Sequence, residues 1–303
     1  MSEALAFDLA AYLEAERGRV NGALERAVAR LRSTLPEPLA PAAAHAVLTG
    51  GKRLRPILCV AAQRACGEGV VDASYDMAAA LEFIHAYSLM HDDLPCMDDA
   101  DLRRGRPTPH KIFGEIPSME AGAALIPAAA LQAWWAAGEL GCSPERGAAV
   151  VAELMKAAGG GGMVGGQVLD LVGEGQAHDA ARLDSLHRMK TGALLCASLR
   201  VGGLAVGADE QSLDALGRYG RAVGLAFQIA DDILDATSDA ESLGKNPSDA
   251  SLDKSTYVSL YGLDEARKRA RAQVTVAKAA LGEAGIDSAA LISLADFIVE
   301  RNR

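Results

Sequence analysis

Aromatic residues are scarce in this chain: phenylalanine, tryptophan and tyrosine together make up 4% of its 303 residues. Strands favour aromatic and β-branched side chains, whereas alanine, which is abundant here, is the best helix former. Apolar residues recur at helical spacing along most of the chain, and no convincing strand-like alternation is present. These features argue against a β-sandwich and predict an all-α protein.

Cysteine is sparse as well, and its spacing shows no CxxC pair. Because the number of cysteines is odd and they form no such pair, we interpret them as reduced, mostly buried thiols of a cytoplasmic protein. These thiols are Cys59, Cys66, Cys96, Cys142 and Cys196.

The chain has no long uninterrupted apolar run. Its least polar segment, residues 121–138, contains Pro127, Gln132 and two glycines, which fits a pair of buried helices better than a membrane span. The first residues, MSEALAFDLAAYLEAER, carry acids early and have no apolar core, so a secretory signal is not expected. We therefore expect a cytoplasmic protein without stable membrane insertion.

Positive charge is not in excess: the formal net charge is −10 at pH 7. Nucleic-acid binders carry basic patches that neutralise phosphates, so this balance argues against a general nucleic-acid partner. A local basic pocket remains compatible with it.

The helical periodicity predicts one domain over residues 1–303. No linker is long or polar enough to separate two domains, and no repeat of fixed period indicates a solenoid. Glycine and proline breaks divide the chain into predicted helices at about residues 5–32, 41–49, 55–66, 72–94, 119–139, 144–158, 179–206, 209–237, 256–282 and 288–301.

The segment HAYSLMHDDLPCMDDADLRRGRP, which starts at His85, sets five aspartates directly after an apolar helical run. On a helix, His85, Ser88 and Asp92 share one face. Like charges this close repel and need water, a cation or hydrogen-bond donors, although such a cluster alone is more often a solvated turn than a metal site. Pro95 is predicted to end the helix and to leave on the loop Asp98, Asp99 and Asp101.

A second acidic cluster, FQIADDILD, covers residues 227–235. Its Gln228, Asp231 and Asp235 share one helix face, and Ile229 and Ile233 turn the other way. An acidic i,i+4 pair destabilises an isolated helix by only about 0.2–0.5 kcal/mol, so this pair by itself does not require a ligand. Two clusters, each embedded in an apolar helix, nevertheless favour a functional site.

Carboxylate oxygens select hard cations. The spacing lacks the glycine and the twelve-residue frame of an EF-hand, whereas Mg²⁺ takes one or two carboxylates together with phosphate oxygens. Short basic motifs, each typical of a surface when taken alone, supply cations for such a phosphate. They are Lys52, Arg53 and Arg55 in GGKRLRP, Arg103, Arg104 and Arg106 in DLRRGRP, and the later Lys190, Lys245 and Lys254. Together, the acids and bases predict a metal-dependent diphosphate site.

The glycine run AAGGGGMVGGQ, residues 157–167, superficially resembles a phosphate-binding loop. A nucleotide fingerprint needs a preceding strand, and here a helical segment precedes the run. A helix break or close helix packing is therefore the better interpretation.

Six blocks in this order resemble the trans-type polyprenyl diphosphate synthases, from about residue 50 to residue 262. They are GGKRLRP, HDDLPCMDDADLRRGRPTPHKIFGE, GMVGGQVLDL, KTGALL, FQIADDILD and GKNPSDASLDKSTY. The resemblance implies a single-domain bundle of antiparallel helices around a deep cavity, usually as a homodimer. It also implies head-to-tail condensation of an allylic diphosphate with isopentenyl diphosphate.

The resemblance implies three Mg²⁺ ions per active site, for which Mn²⁺ would substitute. Asp92 and Asp98 would ligate two ions from one wall. Asp231, supported by Asp235 or Asp249, would hold a third from the opposite wall. The remaining aspartates of the two pairs, at positions 93 and 232, would orient ligands, waters or nearby cations rather than bind metal.

The same resemblance implies a place for each diphosphate and for the allylic cation. The allylic diphosphate would be held by Arg103, Lys190, Lys245 and Lys254. The isopentenyl diphosphate would be bound by Gly51, Lys52, Arg55, His85 and Arg104. Around the cation, a ring face or dipoles would come from Phe227, Thr191 and Gln228. The released diphosphate would be the only strong base that the sequence places near the reacting carbons.

Product length would depend on the depth of the apolar cavity below Asp92, next to Tyr87 and Ser88. In the family a bulky aromatic at the Tyr87 position resembles a floor that stops growth at fifteen carbons, and HAYSLMHDDLP looks most like the bacterial farnesyl type. Geranylgeranyl or geranyl diphosphate is the alternative product. The sequence departs from the family at Ala123, where aspartate is usual.

Three other classes of protein share some of these features. A non-catalytic partner subunit has no need of both acidic motifs, and a terpene cyclase has no need of GGKRLRP for a second diphosphate. A purely structural helical protein needs neither. The sequence therefore predicts an active prenyltransferase, with farnesyl diphosphate as the main product.

Overall fold

The computed structural model describes residues 7–173, 179–237 and 255–300. In chain order its elements are α1 (Leu9–Arg32), α2 (Leu39–Leu48), α3 (Leu54–Cys66), α4 (Asp72–Asp92), β1 (Leu102–Arg103), β2 (Arg106–Pro107), α5 (Pro109–Phe113), α6 (Glu115–Glu139), α7 (Pro144–Ala158), α8 (Met163–Val172), α9 (Ala180–His187), a π-helical turn (Arg188–Gly192), α10 (Ala193–Ala205), α11 (Glu210–Thr237), α12 (Tyr257–Tyr261), α13 (Leu263–Glu283) and α14 (Ala289–Glu300). The all-α prediction is confirmed.

Most predicted helices are present, and the differences have local causes. The short α5 and the glycine-rich α8 were missed because neither gives a long apolar repeat. The predicted helix 179–206 contains the π turn, and the predicted helix 256–282 is divided at Gly262, whose φ is +78°. Helix α6 begins four residues earlier than predicted, because Pro117 lies in its first turn, where a missing N–H is tolerated.

Small residues let the central helices approach closely. Helix α4 is buried along most of its length, and the buried face of α6 is made largely of alanines such as Ala121, Ala129 and Ala133. A second, smaller cluster packs the end of α11 against α9, α12 and α13 around Ile229 and Tyr257. This cluster anchors the helix that carries the second acidic motif.

All five cysteines are free, but the prediction that most are buried was wrong. Cys59 is fully buried, and burial raises the pKa of its thiol to about 12. Cys96 is exposed because it lies on the loop after α4, and the other three are half-buried. The least polar segment also differs from expectation, since it lies in the single, partly exposed helix α6 rather than in a buried pair.

Within the described ranges, none of the helices combines the length and the apolar character that a membrane crossing requires.

Candidate functional site

The first acidic motif lies where α4 gives way to a tight loop. His85, Ser88 and Asp92 are on α4, which ends at Asp92, before Pro95. The chain then turns back, and the N–H of Asp98 donates to the carbonyl of Asp92 at 2.9 Å. The predicted helix end is therefore observed, and the loop brings Asp98 back toward Asp92.

Asp93 is buried and forms a salt bridge with Arg103. The Arg103 Nε lies 2.8 Å from both Asp93 oxygens, and Nη2 lies 2.5 Å from Oδ1. Arg103 reaches this position because β1 and β2 form a hairpin whose two-residue turn, Arg104-Gly105, has φ values of 54° and 73°, as in type I′ turns. This geometry agrees with the prediction that Asp93 orients a cation.

Asp92 is half-buried among other charges. Burial raises the pKa of Asp92 to about 6, Lys190 opposes the rise, and the carboxylate of Asp98 adds to it. A carboxylate in such a setting is destabilised in its charged form, and a divalent cation would relieve the repulsion. The same interactions show that Lys190, from a distant part of the sequence, lies near Asp92.

Lys190 and Thr191 lie in the π turn, a rare conformation that is frequent at functional sites. The Lys190 Nζ is 2.5 Å from Oδ2 of Asp170 on α8. Sequence analysis missed Asp170. The signal that was available is a single charge in the otherwise uncharged helix MVGGQVLDLV.

The second acidic motif occupies the last turns of α11. Asp231 and Gln228 are half-buried, and Asp235 is exposed. Asp232 is buried and accepts a hydrogen bond from the N–H of Tyr257 at 2.7 Å, so it ties α11 to α12. Three predicted site residues lie outside the described residues, namely Lys245, Asp249 and Lys254.

Arg104 packs directly on the GGKRLRP motif. Its Nη1 donates to the carbonyl of Thr49 at 3.1 Å and to that of Gly50. A Cβ atom on Gly51 would lie 2.6 Å from Cζ of Arg104, so this guanidinium position requires glycine at 51. The structure thus brings Gly51 and Arg104 together, as predicted.

Arg55 and His85 lie near Arg104 and form a basic region with it. The Arg55 Nε is buried without an acceptor among the residues described here, and an unmet buried donor costs roughly 1–3 kcal/mol. Burial lowers the pKa of Arg55, with Glu82 and Asp231 opposing and Arg104 adding to the decrease. The pKa of His85 falls well below its usual value because of burial and the adjacent Arg55 and Arg104. This arrangement suits an anion.

Arg53, grouped with these cations from its sequence, belongs to the core instead. Its Nη1 lies 2.6 Å from Oε1 of Glu82, and both side chains are at most 4% exposed. The other guanidinium nitrogens donate to Asn21 and to the carbonyl of Val47. Its assignment to the phosphate cations was therefore wrong. Arg53 lies just before α3 with a φ of 54°, whereas Arg55 lies on the helix, so the two side chains enter different surroundings.

Lys52 and Phe227 line one cavity that is open to solvent. Lys52 comes from the segment before α3, and Phe227 starts the second acidic motif on α11. The cavity wall therefore joins two motifs that are far apart in sequence.

Tyr87 is half-buried next to the first acidic motif. Its ring packs edge-on against His91, with centroids 4.8 Å apart, and His91 is hydrogen-bonded to the carbonyl of Met119 on α6. Burial and Asp92 both raise the pKa of Tyr87, which places the phenol near that carboxylate. The Ser88 hydroxyl donates to the carbonyl of His85 at 3.0 Å.

No three carboxylate, histidine or cysteine side chains converge on one point within the described ranges. This arrangement fits Mg²⁺, which usually takes one or two protein carboxylates and completes its shell with water and substrate phosphate. Hard oxygen donors of that kind are present in Asp92 on α4, in Asp98 on the following loop and in Asp231 on α11.

Comparison with known proteins agrees with this geometry. Residues 36–290 match the family model described as Polyprenyl synthetase. The chain is 43% identical to the farnesyl diphosphate synthase of Escherichia coli, over 98% of this chain and 100% of that protein. It is 42% identical to a chloroplastic geranylgeranyl pyrophosphate synthase of Catharanthus roseus, over 99% of this chain and 84% of the relative.

A solved structure supports the same assignment. The apo FPP/GFPP synthase of Zymomonas mobilis superimposes with a TM-score of 0.82 at 37% identity, covering 96% of this chain and 100% of that one. The chain therefore belongs to the polyprenyl synthetase family and is a prenyltransferase.

Proposed function

We propose that this protein is a Mg²⁺-dependent farnesyl diphosphate synthase, which joins isopentenyl diphosphate to dimethylallyl and then to geranyl diphosphate. One observation carries the proposal: helices from distant parts of the chain set acids beside cations, with Lys190 near Asp92 and Arg55 near Asp231. We propose further that residues 1–303 form a single polyprenyl synthase domain, because the family model spans residues 36–290. The cytoplasmic location stays a prediction.

The site suits ionisation of an allylic C–O bond. Mg²⁺ held by Asp92, Asp98 and Asp231, with Asp235 or Asp249 in support, would neutralise charge on the departing diphosphate. Lys190 and Arg103 are fixed cations beside the same carboxylates, and a preorganised donor of this type contributes roughly 3–4 kcal/mol to the transition state. Three ions, with Mn²⁺ as substitute, are part of the proposal.

Bond formation then needs the second substrate beside the cation. The diphosphate of isopentenyl diphosphate would bind Arg55, Arg104 and neutral His85, and its double bond would attack the allylic carbon. The new carbon–carbon bond leaves a tertiary cation, which loses a proton to the released diphosphate. Among the described side chains near the site, none is an evident dedicated base. His85 is a weak base, because burial and the neighbouring arginines hold its pKa well below the usual value.

Product length is the finer part of the proposal. The relatives include both a farnesyl and a geranylgeranyl synthase at nearly equal identity, so identity alone does not choose between the products. Tyr87 favours the shorter one, because its ring packs on His91 beside Asp92, near the start of the growing chain.

The first test is incubation of the purified protein with Mg²⁺, isopentenyl diphosphate and dimethylallyl diphosphate, followed by separation of products by chain length. We expect mainly the fifteen-carbon product, and we expect Tyr87→Ala to shift most of the product to twenty carbons or longer. Tyr12→Ala, on α1, is the matched control and should leave the distribution unchanged.

Two results would count against these assignments. A twenty-carbon product from the wild-type protein would keep the prenyltransferase and reject Tyr87 as the floor. No product from either dimethylallyl or geranyl diphosphate would favour the alternative of a non-catalytic partner subunit.

We also propose that the protein is a homodimer that pairs through α6. Ile116, Leu131 and Trp134 are 71%, 69% and 50% exposed, so α6 presents several large apolar side chains at the surface. Ala123 and Pro127 are also exposed. They lie on the same face of α6 as Ile116 and Trp134, because the steps from 116 to 123, 127 and 134 are seven, four and seven residues. A second copy of α6 would cover this apolar stripe.

Light scattering after size-exclusion chromatography tests this pairing. We expect the wild-type protein to elute as a dimer and Leu131→Glu to elute as a monomer, because a charge buried in an apolar interface is strongly disfavoured. Val276→Glu places the same charge at another exposed apolar position, on α13, and should leave the mass unchanged. A monomeric wild-type protein would reject the dimer.

A further inference from the structure

The glycine-rich run that leads into α8 makes a contact within the site that the proposed reaction does not itself account for. A Cβ atom on Gly166 would lie 2.2 Å from the backbone nitrogen of Lys190 and 2.5 Å from its Cα. Non-bonded carbon atoms attract best at roughly 3.5–4.0 Å. Helix α8 therefore approaches the main chain of Lys190 as closely as glycine allows.

The π turn has a similar contact on α11. A Cβ atom on Gly224 would lie 2.9 Å from Cα of Gly192. Lys190 and Thr191 thus lie in a turn that touches the backbone of α8 at Gly166 and of α11 at Gly224. One helical turn beyond Gly166, Asp170 also binds the Lys190 ammonium, so α8 contacts both ends of that residue.

We propose that Gly166 and Gly224 are positioning residues that clamp the π turn and thereby set where Lys190 and Thr191 stand relative to Asp92. The inference rests on the proposed function, because it assigns these glycines to the alignment of groups that would meet the allylic diphosphate. A π turn is rare and needs support from its surroundings, which the two close backbone contacts provide.

Ordinary helix packing is the competing explanation, and the chain offers a matched control for it. Gly202 lies on α10 against α3, where a Cβ atom would stand 2.3 Å from the carbonyl oxygen of Cys59. The predicted clash resembles that of Gly166, but Gly202 is about 18 Å along the helix from Lys190 at a rise of 1.5 Å per residue. Gly202→Ala therefore perturbs packing without touching the π turn.

The experiment compares Gly166→Ala, Gly224→Ala and Gly202→Ala in the full chain. A misplacement of about 1 Å can lower turnover about 100-fold, so we expect this loss of kcat in Gly166→Ala and a smaller loss in Gly224→Ala, whose clash is milder. Affinity for inorganic pyrophosphate with Mg²⁺, measured by calorimetry, should fall in parallel. The KM for isopentenyl diphosphate should stay within about twofold, because Arg55 and Arg104 are untouched.

Gly202→Ala is expected to lower the Tm but to keep kcat per folded molecule and pyrophosphate affinity. The proposal is overturned when Gly166→Ala, corrected for its folded fraction, equals Gly202→Ala in both readouts. Should Gly166→Ala not fold, Gly224→Ala decides by the same comparison. An inactive wild-type protein would reject the proposed function instead, and its pyrophosphate binding would still compare the variants.

Discussion

Asp92→Ala is expected to lower kcat by about 1,000-fold or more, equivalent to roughly 4 kcal/mol of transition-state stabilisation. The same loss is expected for Asp231→Ala, on the other acidic motif. Each change would remove an oxygen donor for the proposed cation that neutralises the departing diphosphate, and a neutral water molecule does not replace the negative charge of a carboxylate.

The folded state of Asp92→Ala should be at least as stable as the wild type at neutral pH. Burial raises the folded-state pKa of Asp92 from 3.8 to about 6, so above that pH the charged carboxylate opposes folding, and its removal relieves the opposition. Thermal unfolding followed by circular dichroism measures this directly. A large loss of turnover without a loss of stability is the signature of a group kept for function.

Asp101→Ala is the matched control on the same loop. Asp101 is exposed and pairs with Lys111 at 2.6 Å, so its replacement should leave kcat and the Mg²⁺ dependence within about twofold of wild type. A loss of less than tenfold in both Asp92→Ala and Asp231→Ala would contradict the proposed metal-binding roles.

Arg53→Ala is expected to lower the free energy of unfolding by about 3–5 kcal/mol, because it leaves the Glu82 carboxylate buried and unpaired. The pair is 2.6 Å long and almost fully buried, and Arg53 also donates to Asn21 and Val47. Urea denaturation gives the value. At a temperature where the variant is folded, KM for isopentenyl diphosphate should be unchanged, since Arg53 faces the core.

An exposed pair provides the comparison. Arg218 contacts Glu283 at the same distance of 2.6 Å, but on the surface, so Arg218→Ala should cost no more than about 1 kcal/mol. The double variant Arg53→Met/Glu82→Leu should recover most of the lost free energy of unfolding, because apolar residues of similar volume fill the same space and leave no buried charge unpaired. A cost below about 1 kcal/mol for Arg53→Ala would mean that water reaches Glu82.

The helical class and the two acidic motifs followed from the sequence by itself. Apolar periodicity is a local property, so the chain already predicts that Asp92 lies near the end of one helix and that Asp231 lies on another. The order of the six motifs indicated the family for the same reason, since each motif keeps its residue types and spacing without reference to the rest of the fold.

Only the tertiary structure decided the surroundings of residues that look equivalent in the sequence. Arg53 and Arg55 are chemically equivalent in sequence, yet one pairs with Glu82 in the core and the other leaves a donor unmet near His85. Asp170 belongs to the site only because α8 packs against the π turn, where Asp170 pairs with Lys190. Such contacts join residues distant in the chain, and their energies depend on burial and distance, which residue spacing along one helix does not encode.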